Sequence, residues 1–334
     1  MRDANSLKRT TDMLTTALGS RIMDALADPS VIEIMMNPDG RLWIERHGAG
    51  RVDTGTGLAP HEAERVIRLV ATHIGRDVNA ATPIVSAELP MSGERFEGVL
   101  PPVTRGPCFS IRKPAGRIIT LDEYVETGVM RPHCADALRG AVRDRANILI
   151  VGGTGSGKTT LANALLAEMA ETGDRIVILE DTRELQCAAE DTVAMRTQPG
   201  SITLSNLVRS TLRLRPDRII VGEVRGPEAL DMLKAWNTGH PGGIATLHAN
   251  SAEAGLYRLE QLIGEVTQNI PHELIAETID RVVFIRRRDG ARRVETVSEL
   301  CGLSDRGYVL KPITADLQLV LPPLSSNDPE RKCP

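Results

Sequence analysis

Apolar positions along this chain of 334 residues follow two different rhythms. In the first third, Leu14, Leu18, Ile22 and Leu26 recur every fourth residue, which predicts one apolar face of an opening helix. Residues 31–36 and 41–45 are two short apolar runs around the turn Asn37-Pro38-Asp39-Gly40, and they read as a hairpin. A helix is expected over 60–74, with Pro60 suited to its first turn. Two further strands are expected over 95–100 and 108–112. From residue 132 the rhythm changes to apolar strands at 147–151, 175–180, 218–222, 243–247 and 281–286, with helical stretches between them. That alternation predicts an α/β fold with a mostly parallel sheet covered on both faces.

The expected organisation is a smaller N-terminal α+β domain over 1–113 and a linker over 114–131, which carries Pro114, Gly116, Gly128 and one short helix. An α/β domain over 132–321 and a polar, Pro-rich tail over 322–334 complete it. Net charge is −4, so no global basic field of the kind that grips nucleic acid is present, and aromatic residues at 2% leave little material for base stacking. Direct nucleic-acid binding is therefore not expected. The five cysteines form no C-x-x-C pair, which argues against a zinc ribbon or disulfide framework and suits a reducing compartment. No apolar h-region follows the first residues and no apolar run is long enough to span a bilayer, so a cytoplasmic protein is expected.

The candidate chemistry begins behind the strand at 147–151. Gly152, Gly153, Thr154, Gly155, Ser156, Gly157, Lys158 and Thr159 complete the phosphate-loop pattern, and Thr160 follows in the helix. Its glycines let successive backbone N–H groups turn inward around an anion. Lys158 adds a point charge for the β- and γ-phosphates, and the Thr159 hydroxyl suits Mg²⁺. The helix starting near Lys158 turns its positive end toward the phosphates. The nucleotide and ion this pattern calls for are ATP and Mg²⁺.

Further groups follow the other strands. Glu180 and Glu184 close the strand at 175–180 and can order water around the Mg²⁺ site; ordinary turn acids are the plainer reading. Ile219, Ile220 and Val221 make a buried strand that delivers Glu223, a carboxylate fit to orient or deprotonate a hydrolytic water. The metal-associated aspartate usual near this position is replaced by Gly222. Gly242 and Gly243 open a short strand ending in His248, whose imidazole can report on the γ-phosphate or simply be a satisfied structural residue. Arg95 and Arg112 lie on predicted strands of the first domain and read either as arginine fingers or as surface residues. Arg209, Arg213 and Arg215 pose the same choice ahead of the Glu223 strand.

The fixed order of the phosphate loop, Glu180-Asp181-Thr182-Arg183-Glu184-Leu185, Ile220-Val221-Gly222-Glu223-Val224-Arg225 and Gly242-Gly243-Ile244-Ala245-Thr246-Leu247-His248 resembles the secretion and traffic ATPases of type II secretion, type IV pili and type IV secretion. The stretch from Asn237 to Ser251, the run 95–102 and the run 109–114 are similar to the conjugal-transfer, TrbB-like branch. The resemblance covers residues 20–310. It implies a RecA-like ATPase domain behind an N-terminal domain that closes on nucleotide, assembled as a homohexamer. It assigns Lys158 and Thr159 to phosphate and Mg²⁺, Glu223 to catalysis, His248 to γ-phosphate sensing, and Arg95 and Arg112 to the nucleotide. Either Glu180 or Glu184 takes the metal side, through water. The implied partners are inner-membrane and channel components of a secretion or conjugation apparatus, with peripheral contact at the inner face of the membrane. A pilus-assembly or type II secretion motor, a nucleotide-gated scaffold with little turnover, and a DNA translocase are the alternatives.

Overall fold

The computed structural model describes residues 4–314, apart from 47, 92, 115, 199 and 289, so the tail expected over 322–334 lies outside the described residues. Two compact units divide the chain, Met1–Arg117 and Ile118–Pro334.

The first unit opens with α1 (Ala4–Ala27), whose backbone leaves the helical region at Gly19 (φ 73°, ψ 167°). Strands β1 (Val31–Met36), β2 (Arg41–Arg46) and β3 (Gly50–Gly57) precede α2 (Pro60–His73); β4 (Ile84–Glu88), β5 (Arg95–Val99) and β6 (Cys108–Arg112) follow. They form one antiparallel sheet in the order β3-β2-β1-β6-β5-β4. The every-fourth-residue stripe of α1 (Leu14, Leu18, Ile22) and the α2 row Ala63, Val66, Ile67 and Val70 share one core with Ile34, Phe96 and Ile111 of the sheet. On this sheet Arg95 and Arg112 stand directly opposite each other, with Glu88 across from Arg95 and Glu33 across from Arg112.

The second unit begins with α3 (Leu121–Glu126) and α4 (Pro132–Arg143), then β7 (Ile148–Gly152) and α5 (Lys158–Met169). Leu121, Tyr124 and Met130, in the segment read from its Pro and Gly content as a linker, are buried with residues of α4 and α5. That punctuation marks turns between packed pieces and does not remove them from the core. Next come β8 (Ile176–Glu180), β9 (Thr192–Arg196), α6 (Leu204–Thr211), β10 (Arg218–Val224), α7 (Glu228–Asn237) and β11 (Ile244–His248). The unit closes with α8 (Ala252–Gly264), α9 (His272–Thr278), β12 (Arg281–Arg288), β13 (Ala291–Ser304) and β14 (Gly307–Pro312). The sheet order is β14-β13-β12-β7-β11-β10-β8-β9. It is parallel from β12 to β9, with β13 and β14 added antiparallel at one edge.

Alternate residues of the parallel strands enter two cores. Ile148, Ile150, Ile176, Ile178 and Ile220 face α4 and α5, whereas Leu149, Val151, Val177, Leu179, Ile219 and Val221 face α6 to α9. Coverage on both faces explains why these strands are almost uninterrupted apolar runs. Because the strands are parallel, the carboxyl ends of β7, β8, β10 and β11 emerge on one rim, where an open α/β sheet binds its ligands. No helix among the described residues is long and apolar enough to cross a membrane.

Candidate active site

The phosphate loop joins β7 to α5. Gly157 precedes the helix with φ 102°, a left-handed conformation that a side chain would strain, and this brings the first helical N–H groups around toward the loop. Lys158 is buried, and its Nζ donates to the carbonyl oxygens of Gly152 (3.1 Å) and Gly153 (3.2 Å). Ser156 Oγ is buried with no hydrogen-bond partner among the described residues. A left-handed glycine, a buried ammonium and an orphaned hydroxyl in one loop fit a phosphate group.

Strand register brings the other groups here. In the β7–β11 pairing His248 is the partner of Gly152, so the strand-end histidine stands beside the first glycine of the loop. Lys158 Nζ lies 3.2 Å from His248 Nδ1, and His248 Nε2 lies 2.7 Å from Glu223 Oε1. The second approach is short but lacks hydrogen-bond alignment. With Lys158 cationic, Nδ1 accepts and the proton sits on Nε2, facing Glu223. That tautomer requires a neutral ring. Burial, reinforced by the Lys158 charge, does lower the His248 pKa, and only the nearby Glu223 opposes them.

Glu223 has two cationic neighbours besides the histidine. Burial works against its charge, but its hydrogen bond with the Arg225 guanidinium, the charges of Arg225 and Lys158 and, in the acid range where the imidazole is protonated, the charge of His248 outweigh that and hold the carboxyl below its usual range. Glu223 is therefore a firm carboxylate at neutral pH. Arg225 is itself placed by the next helix, because Glu228 Oε1 accepts from the N–H groups of Arg225 (2.7 Å) and Gly226 (2.9 Å).

Glu180 and Glu184 differ in their settings. Glu180 is buried, and its Oε1 accepts from the backbone N–H of Glu184 (2.9 Å) and Leu185 (2.8 Å). Glu184 Oε2 accepts from Thr159 Oγ1 at 3.3 Å. Asn163 on α5 secures the same loop from the other side, donating to Glu184 O (3.2 Å) and accepting from Gln186 N (2.9 Å). A hydroxyl beside a carboxylate is an all-oxygen donor set, which fits a hard divalent cation such as Mg²⁺. Among the described residues no cluster of three His, Cys, Asp or Glu side chains could hold a metal alone. Phosphate oxygens would have to complete the coordination.

The sequence family described as Type II/IV secretion system protein matches residues 17–299. The chain belongs to this family. Conjugal transfer protein TrbB of Rhizobium radiobacter is 50% identical over 310 residues, spanning 92% of this chain and 95% of that relative. The type IV secretion system protein PtlH homolog of Bordetella bronchiseptica is 35% identical over 306 residues, 80% of this chain and 89% of its own length. Among solved structures, the pilus retraction motor PilT with bound ADP superposes with a TM-score of 0.60 at 19% identity, covering 90% of this chain and 84% of that one, a likeness of fold.

The second unit thus brings Lys158, Thr159, Glu180, Glu184, Glu223 and His248 together at the strand-end rim. Arg95 and Arg112 belong to the first unit, on β5 and β6. Arg209 pairs with Asp231 at 3.2 Å on the exposed side of α6. Asn163 and Arg225 were missed in the sequence. The signal for Asn163 was a polar residue in an otherwise apolar helix, and for Arg225 its place two residues after Glu223.

Proposed function

We propose that this chain is an ATP hydrolase that powers a conjugative type IV secretion apparatus. The observation that carries this reading is the meeting of Lys158, His248 and Glu223 in one line at the rim where β7, β10 and β11 end. Gly153 to Thr160 cradle the phosphates, and Lys158 leaves its carbonyl partners to meet the β- and γ-phosphates. A carboxylate held below its usual range is a weak base at neutral pH. Glu223 therefore acts chiefly by orienting the attacking water, and accepts its proton late. His248, neutral and between Lys158 and Glu223, senses whether a γ-phosphate draws the lysine away. Mg²⁺, when bound, supplies electrostatic stabilisation of the transferring phosphoryl group. Thr159 and Glu184 would hold it, the hydroxyl as ligand and Glu184 as the metal-side acid, and Glu180 keeps the 181–185 loop in shape.

The relatives named for conjugal transfer and type IV secretion favour that apparatus over a pilus motor. The working form is a homohexamer in the cytoplasm, docked on inner-membrane and channel proteins at the membrane's inner face. Arg95 and Arg112 enter this reading through the family resemblance alone. Phosphate release by the wild type and by Glu223→Gln, recorded while the protein is sized with and without ATP and Mg²⁺, tests the proposal. Expected are turnover by a hexamer in the wild type and its loss in the variant. Equal, near-zero rates would leave a nucleotide-gated scaffold instead of a motor. Lys158→Ala should lose hydrolysis with the fold intact.

A further inference from the structure

The hairpin of β12 and β13 carries Arg286, Arg287, Arg288, Arg292 and Arg293 within eight residues of chain. In the register of that hairpin Arg287 is the partner of Arg292, and Arg286 is the partner of Arg293. Two pairs nearer the sheet, Val283 with Val297 and Ile285 with Val294, lie in the core on the α5 side. Arg287 and Arg292 continue that row, which puts both guanidinium groups on the face from which the phosphate loop rises. The loop glycines bear this out. An ideal Cβ on Gly157 would stand 3.2 Å from Arg292 Cδ and 3.6 Å from its Nε, and one on Gly155 would stand 3.8 Å from Arg287 Nη1. On the other row Arg286 Nη2 meets Glu295 Oε1 at 3.1 Å. Among the described residues Arg292 makes no ion pair with a carboxylate.

Like charges directly opposite on one sheet face repel each other. A polyanion beside them reverses the sign of that effect. The loop itself offers one buried ammonium, Lys158, against the several negative charges of a nucleoside triphosphate. Guanidinium groups are suited to supply the rest, because their planar fork matches two phosphate oxygens at once and they stay charged at any working pH. Held on paired strands, they also lose less freedom on binding than side chains on a loose loop would.

We propose that Arg287 and Arg292 form a second cationic edge of the phosphate loop and hold the polyphosphate of the nucleotide from within the same subunit. The inference rests on the nucleotide-binding reading of the loop. Equilibrium binding of fluorescent mant-ADP to the full chain tests it, with inorganic pyrophosphate as competitor. Arg287→Ala and Arg292→Ala should each weaken mant-ADP binding about tenfold, the scale of one charged hydrogen bond, and should weaken competition by pyrophosphate in step. Arg287→Lys and Arg292→Lys should recover part of that loss, and Arg293→Ala, on the other row, should bind as the wild type does. The proposal is overturned if the double alanine variant, with an unchanged circular dichroism spectrum, binds mant-ADP as the wild type does. It is equally overturned if Arg293→Ala loses as much as the row facing the loop, since that would reduce the effect to general charge. Lys158→Ala separates the two layers of the argument. Loss of binding there, with none in the arginine variants, rejects only the second edge. Undiminished binding in Lys158→Ala rejects the phosphate-loop reading itself.

Discussion

The Glu180 side chain occupies the space that a side chain on Gly222 would need. An ideal Cβ on Gly222 would fall 2.9 Å from Glu180 Cγ and 3.3 Å from its Oε1. The register explains this: β8 and β10 are adjacent, Leu179 pairs with Val221, and the next residues along are Glu180 and Gly222. A carboxylate from the neighbouring strand thus fills the space that the aspartate usual in this second nucleotide motif would need. Gly222→Ala should destabilise the protein by about 1–3 kcal/mol, the cost of overpacking, as read from the urea midpoint. Gly222→Asp should cost more, through carboxylate repulsion. Combining either with Glu180→Ala should cost less than the sum of the two changes. Strict additivity in that cycle would mean that the two positions do not compete for space.

The two carboxylates of the 180–184 segment should separate by phenotype. Glu184→Gln should raise the Mg²⁺ concentration needed for half-maximal turnover while leaving the unfolding midpoint near that of the wild type, because Glu184 faces Thr159. Glu180→Gln should do the reverse and lower the midpoint, because Glu180 Oε1 accepts the two N–H groups that shape the loop. Replacing a charged acceptor of two such bonds should cost about 1.5–3 kcal/mol. A Mg²⁺ titration of phosphate release, paired with urea unfolding, checks both. An equal Mg²⁺ shift in the two variants would defeat the division of roles.

Arg112 sits in a cross-strand row of the first sheet, Glu33, Arg112, Arg95 and Glu88, in which two facing arginines are flanked by a carboxylate on either side. A purely structural arginine there would affect stability and little else, and partly exposed pairs of this kind contribute about 0–1 kcal/mol. Arg112→Ala should instead slow phosphate release by at least about tenfold with a small change in melting temperature, as for a group that meets transition-state charge. Unchanged kinetics would leave Arg112 a surface residue.

The parallel strands could be read in advance because both their faces are covered. Ile148 to Val151, Ile176 to Leu179 and Ile219 to Val221 have no polar side to obscure the run. Strand β13 was not legible. Its apolar residues Val294, Val297 and Leu300 alternate irregularly with Arg, Glu, Thr and Ser, and register breaks interrupt its pairing with both neighbours. Strand β3 carries Val52 as its one aliphatic residue, and that residue is exposed. Within the site, Lys158, Glu223 and His248 stood out because each ends or follows a recognisable run. The coupling of Glu180 to Gly222 did not, because β9 intervenes in sequence between strands that are neighbours in space. The facing pair Arg287 and Arg292 was hidden for another reason, since it depends on a hairpin whose second strand has no clear pattern.

Stability against acid should show two separate windows. Burial and Lys158 lower the His248 pKa from the usual 6.5 of a histidine, with Glu223 opposing. Below 6.5 the unfolded chain therefore takes up a proton that the folded chain refuses. Stability falls from 6.5 down to the folded value, and above 6.5 the group contributes no slope. Its share stays below about 1.4 kcal/mol per pH unit, the limit for one proton, and is reduced further by the ring's exposure. For Glu223, burial is outweighed by Arg225, His248 and Lys158, so its folded pKa lies below the usual 4.5. The stability it supplies is complete above 4.5 and is lost as pH falls through that folded value. Urea unfolding from about pH 8 to about pH 3 should thus show His248→Asn diverging from the wild type, with a shallower loss, as soon as pH drops under histidine's usual value. Glu223→Gln should diverge in the lower window, and should also extend the histidine's loss to lower pH, because it removes the carboxylate that opposes the lowering of the His248 pKa. Parallel curves for His248→Asn and the wild type through the upper window would show that the Lys158–His248–Glu223 line does not hold the imidazole neutral. His248 would then be free to charge on the enzyme, and it could no longer act as a neutral link between the lysine and the catalytic carboxylate.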